Sequence, residues 1–138
     1  MRTTVNSVLA LDVGTVRIGV SVASLAARIP RPLVTLPNDE KFTEQLQRLI
    51  ENEKVGMLVV GLPRGLDGQE TLQTQLVRDF TAHLQKEIAI ACQFQDEALS
   101  STRAKQELES RGKLYQKGDV DALAATFILE DYLIENRN

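Results

Sequence analysis

The 138-residue chain has one cysteine, one histidine, no apolar run long enough to cross a bilayer and no surplus of positive charge. Each shortage removes a class of function. With Cys92 alone no internal disulfide can form, which suits a reducing compartment. Zinc sites draw on several Cys or His side chains, and the chain has one of each. His83 falls inside a helical pattern, so any Ser-His-Asp or Cys-His arrangement would rest on it alone. Cys92 sits in an alternating apolar stretch and reads as core rather than nucleophile. Crossing a membrane takes roughly 18 uncharged apolar residues, and no such run exists. The short apolar stretch near the amino terminus meets Asp12 at once, without the apolar segment of about 7 residues and cleavage site of a secretory leader. The expectation is a cytoplasmic protein with no membrane partner. Sixteen Lys and Arg against nineteen Asp and Glu leave a net charge of −3, which argues against coating nucleic acid by bulk charge. No repeat, low-complexity tract or Pro/Ser-rich linker breaks the chain, so residues 1–138 read as a single domain.

What is present is an α/β pattern. Val8 to Leu11 is a buried run ending at Asp12 and Gly14, and Ile18 to Ala23 alternates large with small residues. A hairpin across the Asp12–Arg17 turn follows. Pro30 and Pro32 restrict Leu33–Leu36 to a brief or edge strand. Asp39 reads as the cap of a helix carrying Phe42, Leu46, Leu49 and Ile50. Met57–Val60 before Gly61 suits a strand covered on both faces. Leu72, Leu76, Phe80 and Leu84 mark a second helix; Ile88, Ile90, Cys92 and Phe94 mark a further strand. A polar helix from Ser100 or Ser101 is stopped at Gly112, and Asp119 caps the last helix. The order predicts a mixed sheet, antiparallel in its first strands and parallel after, sandwiched by helices.

Acidic residues dominate the strand ends. Asp12 ends the first strand, Asp96 and Glu97 end the strand after Ile88, and Asp119 and Asp121 open the final helix. If the later strands run parallel to the first, Asp12 and Asp96-Glu97 emerge at the same carboxyl edge. Parity then separates Glu97 from Asp96, because Asp96 shares the face of Ile90 and Phe94 while Glu97 does not. Taken singly, Asp12 also suits a turn and Asp119 a helix cap. Clustered carboxylates raise one another's pKa unless a cation neutralises them, and hard oxygen ligands suit Mg²⁺ or Mn²⁺. Two such ions can clamp the attacking water and leaving oxygen of a phosphodiester. The Gly61–Gly68 loop lacks the Lys-Ser/Thr of a phosphate loop, but it follows a buried strand, holds Arg64 and precedes a helix.

These segments match a family. Leu9-Ala10-Leu11-Asp12-Val13-Gly14-Thr15-Val16-Arg17-Ile18-Gly19-Val20-Ser21 resembles the opening motif of the YqgF/RuvX family. Val59-Val60-Gly61-Leu62-Pro63 with Asp67-Gly68 resembles its second motif, and Asp96-Glu97-Ala98-Leu99-Ser100-Ser101 its third. Val120-Asp121-Ala122-Leu123-Ala124-Ala125 with Ile128-Leu129 resembles the fourth. The resemblance spans nearly the whole chain. It implies an RNase H-like fold related to Holliday-junction resolvases, and a cytoplasmic nuclease acting on the 5′ end of precursor 16S ribosomal RNA. It also implies the acidic triad Asp12, Glu97 and Asp121 as the catalytic, metal-holding residues. The family usually places Arg and Thr where this chain has Ala98 and Ser101, which removes one candidate phosphate contact.

The expected chemistry is hydrolysis of a phosphodiester with Mg²⁺ or Mn²⁺, two ions held by the triad, while Arg17, Arg64, Lys113 and Lys117 position the nucleic-acid backbone. The partner is nucleic acid, either precursor rRNA or branched DNA. Junction cleavage would need two sites acting together and hence a homodimer. A non-catalytic nucleic-acid-binding factor is a further alternative, and Asp12-Val13-Gly14-Thr15 also looks like a phosphate motif of two-domain sugar kinases. Charge is distributed in keeping with a nuclease: residues 1–35 and 98–118 carry +3 each, whereas 36–97 carry −5 and 119–138 carry −4. The positive segments flank the proposed acidic edge.

Overall fold

A computed structural model describes residues 6–97, 100–112 and 114–137. Strand β1 (Ser7–Val13) pairs antiparallel with β2 (Arg17–Ser24), bringing Asp12 opposite Gly19. The turn between them closes where the Gly14 amide donates to the Arg17 carbonyl at 2.9 Å. A Cβ at Gly14 would lie 2.7 Å from that same oxygen, so the turn requires glycine. Strand β3 (Arg31–Pro37) adds antiparallel to β2. It is the expected edge strand but is longer than expected, because an edge tolerates prolines at both of its ends.

Helix α1 (Phe42–Glu53) leads into β4 (Val55–Leu62), which joins β1 in parallel. Asp39 does not cap α1. Its Oδ1 instead accepts the Lys41 amide at 2.9 Å in the turn before the helix. Helix α2 (Leu72–Gln85) then crosses to β5 (Ala91–Asp96), parallel to β4. Strand β5 starts three residues after Ile88, which is buried in the preceding turn. The sheet order is β3-β2-β1-β4-β5, and the polar helix α3 (Ser100–Ser110) and long α4 (Lys117–Glu135) follow. Helix α4 begins two residues before the expected cap. Asp119 lies within its first turn and accepts the Gln116 amide at 2.9 Å.

Side-chain alternation assigns each face of the sheet. Leu9, Leu11, Ile18, Val20, Leu58 and Val60 point to the α1/α2 side and pack with Phe42, Leu46, Val77 and Leu84. Val8, Ala10, Ala23 and Val59 point to the other side, under Ile128, Leu129 and Leu133 of α4. That second face is built from small residues: a Cβ on Gly61 would come within 2.4 Å of the Ile128 Cδ1. The large-small alternation of β2 therefore has a structural meaning. Its large residues fill one core, and its small ones let α4 approach the backbone. Helix α3 packs outside α4 through Ala104 and Leu108 against Val120, Leu123 and Ala124. The expected mixed α/β sandwich is the fold observed. Among the described residues no helix is long and apolar enough to cross a membrane.

Candidate functional site

Strands β1, β4 and β5 are parallel, so their carboxyl ends share one edge. In such sheets the strand ends leave a crevice that the chain can line with functional side chains. Asp12 has the parity of Val8 and Ala10 and so faces α4. Glu97 follows β5 on the face of Gln95, whose amide bonds to Glu135 of α4. Its own amide donates to the Leu62 carbonyl at 3.0 Å, anchoring it beside the end of β4. Between Asp12 and Gln95 the same face of β4 carries Gly61, which leaves no side chain there.

Asp121 arrives from α4. The helix rests on β2 at Gly19, the cross-strand partner of Asp12, where no side chain intervenes. It is held further by the Thr35 hydroxyl, which donates to the Gly118 carbonyl at 2.6 Å, and by the Ser21 hydroxyl, which donates to the Ala125 carbonyl at 2.7 Å. The three acids therefore converge on this edge, near enough for Glu97 and Asp121 to act on Asp12 through their charge. Burial, then the charges of Glu97 and Asp121, push the Asp12 carboxyl up from 3.8 to about 8. Burial raises Glu97 as well. Asp96, in contrast, turns to the α2 face and pairs with Arg64 at 2.9 Å, as parity predicted.

The four candidate cations are placed differently. Arg17 joins the acidic cluster directly, its Nε donating to Asp121 Oδ2 at 2.6 Å. Arg64 lies after β4 on the α2 side, bound to Asp96 and donating to the Gly68 carbonyl at 3.3 Å. Lys117 is the exposed first residue of α4, and Lys113 lies outside the described residues. Sequence reasoning missed Asn38, whose side-chain amide donates to the Gly14 carbonyl at 2.8 Å and steadies the turn after Asp12. Its position at the end of the edge strand gave no signal of that contact.

The donor set fits a hard divalent cation in kind: all three groups offer carboxyl oxygens, and the burial and neighbouring charges that raise Asp12 are what a cation would offset. As the side chains are placed, no three His, Cys, Asp or Glu groups among the described residues stand close enough to hold a metal ion together.

Comparison with known proteins decides the family. The family model "RuvX: Holliday junction resolvase" matches residues 6–135. The chain belongs to the RuvX family. The family's description is that of a nuclease. Relatives carry the name "Putative pre-16S rRNA nuclease". The protein of Maridesulfovibrio salexigens is 39% identical over 131 residues, 91% of this chain and 96% of that protein. That of Sulfurihydrogenibium sp. is 38% identical over 128 residues, 91% and 88% of the two. Among solved structures, Thermus thermophilus RuvC in complex with a Holliday junction substrate superposes with a TM-score of 0.58 at 13% identity, covering 94% of this chain and 96% of that one. RuvC from the same organism, in a second structure, gives 0.54 at 13%, covering 94% and 95%. At that identity the likeness is one of fold, and it is the RNase H-like fold expected.

Proposed function

We propose that this RuvX chain is a divalent-metal-dependent nuclease that processes the 5′ end of precursor 16S rRNA in the cytoplasm. The observation that carries the reading is the convergence of Asp12, Glu97 and Asp121 on one sheet edge, where burial first and then the charges of Glu97 and Asp121 raise the Asp12 pKa to about 8. The shared name of relatives at 32–39% identity supports the RNA substrate. Asp12, Glu97 and Asp121 would hold Mg²⁺ or Mn²⁺, two ions in all. When bound, such ions offset charge on the phosphate oxygens and make an attacking water more acidic. The protein's own part is to fix the carboxylates on a rigid sheet and helix, and to bring Arg17, Arg64, Lys113 and Lys117 to the nucleic-acid backbone. Arg64 follows β4 on the α2 side and Lys117 opens α4 on the other, so both are offered as contacts to a backbone passing the acidic edge.

A second reading rests on the family description: cleavage of branched DNA at a Holliday junction. It requires a homodimer, because two strands must be cut together. Purified protein with Mg²⁺ or Mn²⁺, given precursor rRNA, single strands and four-way DNA junctions, separates the two. Cleavage of the rRNA precursor, abolished by Asp12→Asn and by Glu97→Gln in folded protein, is the expected result. Symmetric junction cutting by a dimer would replace it with the second reading. Unimpaired cutting by Asp12→Asn would end both.

A further inference from the structure

Arg17 and Asp121 lie 104 positions apart in sequence, yet the structure joins them at 2.6 Å. Arg17 leaves β2 on the face that α4 covers, with the parity of Gly19 and Ser21. Both partners are only partly exposed, 37% for the Arg17 side chain and 21% for that of Asp121. The main chain carrying Asp121 is held at three points. Gly19 abuts the Asp121 backbone, Thr35 holds the Gly118 carbonyl and Ser21 holds the Ala125 carbonyl. With α4 seated at these three points, the change of partner proposed for Asp121 is a turn of its side chain.

A guanidinium and a divalent ion are both cations seeking the oxygens of one carboxylate, and each repels the other. A nucleic-acid phosphate changes that balance, since Arg binds phosphate oxygens with the same donors it offers to carboxylate. We propose that Arg17 is a positioning residue that competes with a divalent cation for Asp121, and that a nucleic-acid phosphate frees the carboxylate by taking over the guanidinium. The inference rests on the metal-dependent reading above. Its consequence is reciprocal: the metal and the nucleic acid each strengthen the binding of the other.

The test is titration of Mn²⁺ into the intact protein without nucleic acid, read from the loss of the free-Mn²⁺ paramagnetic resonance signal. Arg17→Gln is expected to bind Mn²⁺ about fivefold more tightly than the parent, the scale of a partly exposed ion pair. Arg48→Gln removes the same charge from an exposed pair on α1, on the other side of the sheet, and is expected to bind as the parent does. Equal or weaker binding by Arg17→Gln overturns the inference, as does an equal gain in Arg48→Gln, which would be net charge acting alone. Parent-like Mn²⁺ binding by Asp12→Asn would instead remove the metal-site reading beneath it. Fluorescence anisotropy of a labelled single-stranded RNA at constant ionic strength tests the second half. Mn²⁺ should strengthen RNA binding about fivefold more in the parent than in Arg17→Gln. Equal strengthening in both would show that phosphate does not release Asp121.

Discussion

Gly19 of β2 lies against the main chain of Asp121: a Cβ there would stand 2.0 Å from the Asp121 carbonyl oxygen and 2.8 Å from the Ala122 nitrogen. Both are backbone atoms of a helix and cannot rotate aside. The absence of a side chain at Gly19 therefore sets how deeply α4 sits, and with it where Asp121 meets Asp12. Gly19→Ala is expected to cost roughly 1–3 kcal/mol in denaturant unfolding, the scale of an overpacked core. Gly118→Ala, one turn away, is the contrast. Its Cβ would find Thr35 at an ordinary 3.7 Å, so it should be neutral or slightly stabilising. A Gly19→Ala protein as stable as the parent would show that α4 is not seated this way.

Much of this was legible in the sequence, and the parts that were not have physical reasons. The antiparallel-then-parallel pairing followed from the succession of strands and helices, and the separation of Asp96 from Glu97 followed from parity, which has a period of two and survives small errors in strand ends. The buried face of α2 did not follow from its apolar spacing. Leu72 and Leu76 are 80% and 48% exposed, while Thr74, Val77, Thr81 and Leu84 are buried. Two of the buried positions are threonines that satisfy their own hydroxyls: Thr81 donates to the Val77 carbonyl at 2.8 Å, and Thr74 to the Pro63 carbonyl. A count of apolar residues cannot see polar groups that bring their own partners. Phe94 lies on the apolar side of its strand as read, but β5 is an edge strand, and Phe94 is 39% exposed beneath the Arg78 guanidinium. The Arg17–Asp121 pair lay beyond reach because no local pattern links residues so distant in sequence.

Thr74 offers a direct check on that lesson. Its hydroxyl anchors the Gly61–Gly68 loop through Pro63, and its backbone amide donates to the capping Thr71 hydroxyl at 3.3 Å. Thr74→Val keeps the shape and removes the donor from a fully buried site. A loss of about 1–3 kcal/mol is expected, since the Pro63 carbonyl is left without its partner. Equilibrium unfolding in urea measures it. No change would mean that water replaces the hydroxyl, and that the loop is anchored elsewhere.

Arg64 and Lys117 should matter for nucleic acid far more than for stability. The Arg64–Asp96 pair is partly exposed, and removing it by Arg64→Ala should change stability by less than about 1 kcal/mol. If each side chain contacts one phosphate, each alanine variant lowers the slope of log K against log salt by about 1. Lys86, which ends α2 at the opposite edge of the sheet, provides the control, and its alanine variant should keep the parent slope. Anisotropy titrations across a salt series make the measurement. A parent slope in Arg64→Ala and Lys117→Ala would place the nucleic-acid path elsewhere.

Asp12 ties the site to pH. Its carboxyl is pushed up from 3.8 to about 8, by burial first and then by Glu97 and Asp121. Between those values the folded chain keeps a proton that the unfolded chain has released. Stability must therefore fall as pH rises from about 4 to 8, and level off above. Asp12→Asn removes the proton exchange along with the buried charge. It should match the parent near pH 4 and exceed it at pH 8 by a margin on the order of a few kcal/mol. Burial raises Glu97 as well, so some slope should persist in the variant. A divalent cation acts in the same direction as the substitution, because it neutralises the charge that burial penalises. Mg²⁺ at pH 8 is then expected to raise the melting temperature of the parent and leave that of Asp12→Asn nearly unmoved. Unfolding curves at a series of pH values, with Mg²⁺ and with chelator, test both statements. Parallel pH profiles for the two proteins would mean that Asp12 is solvated in the fold and that its charge is not what a metal ion would relieve.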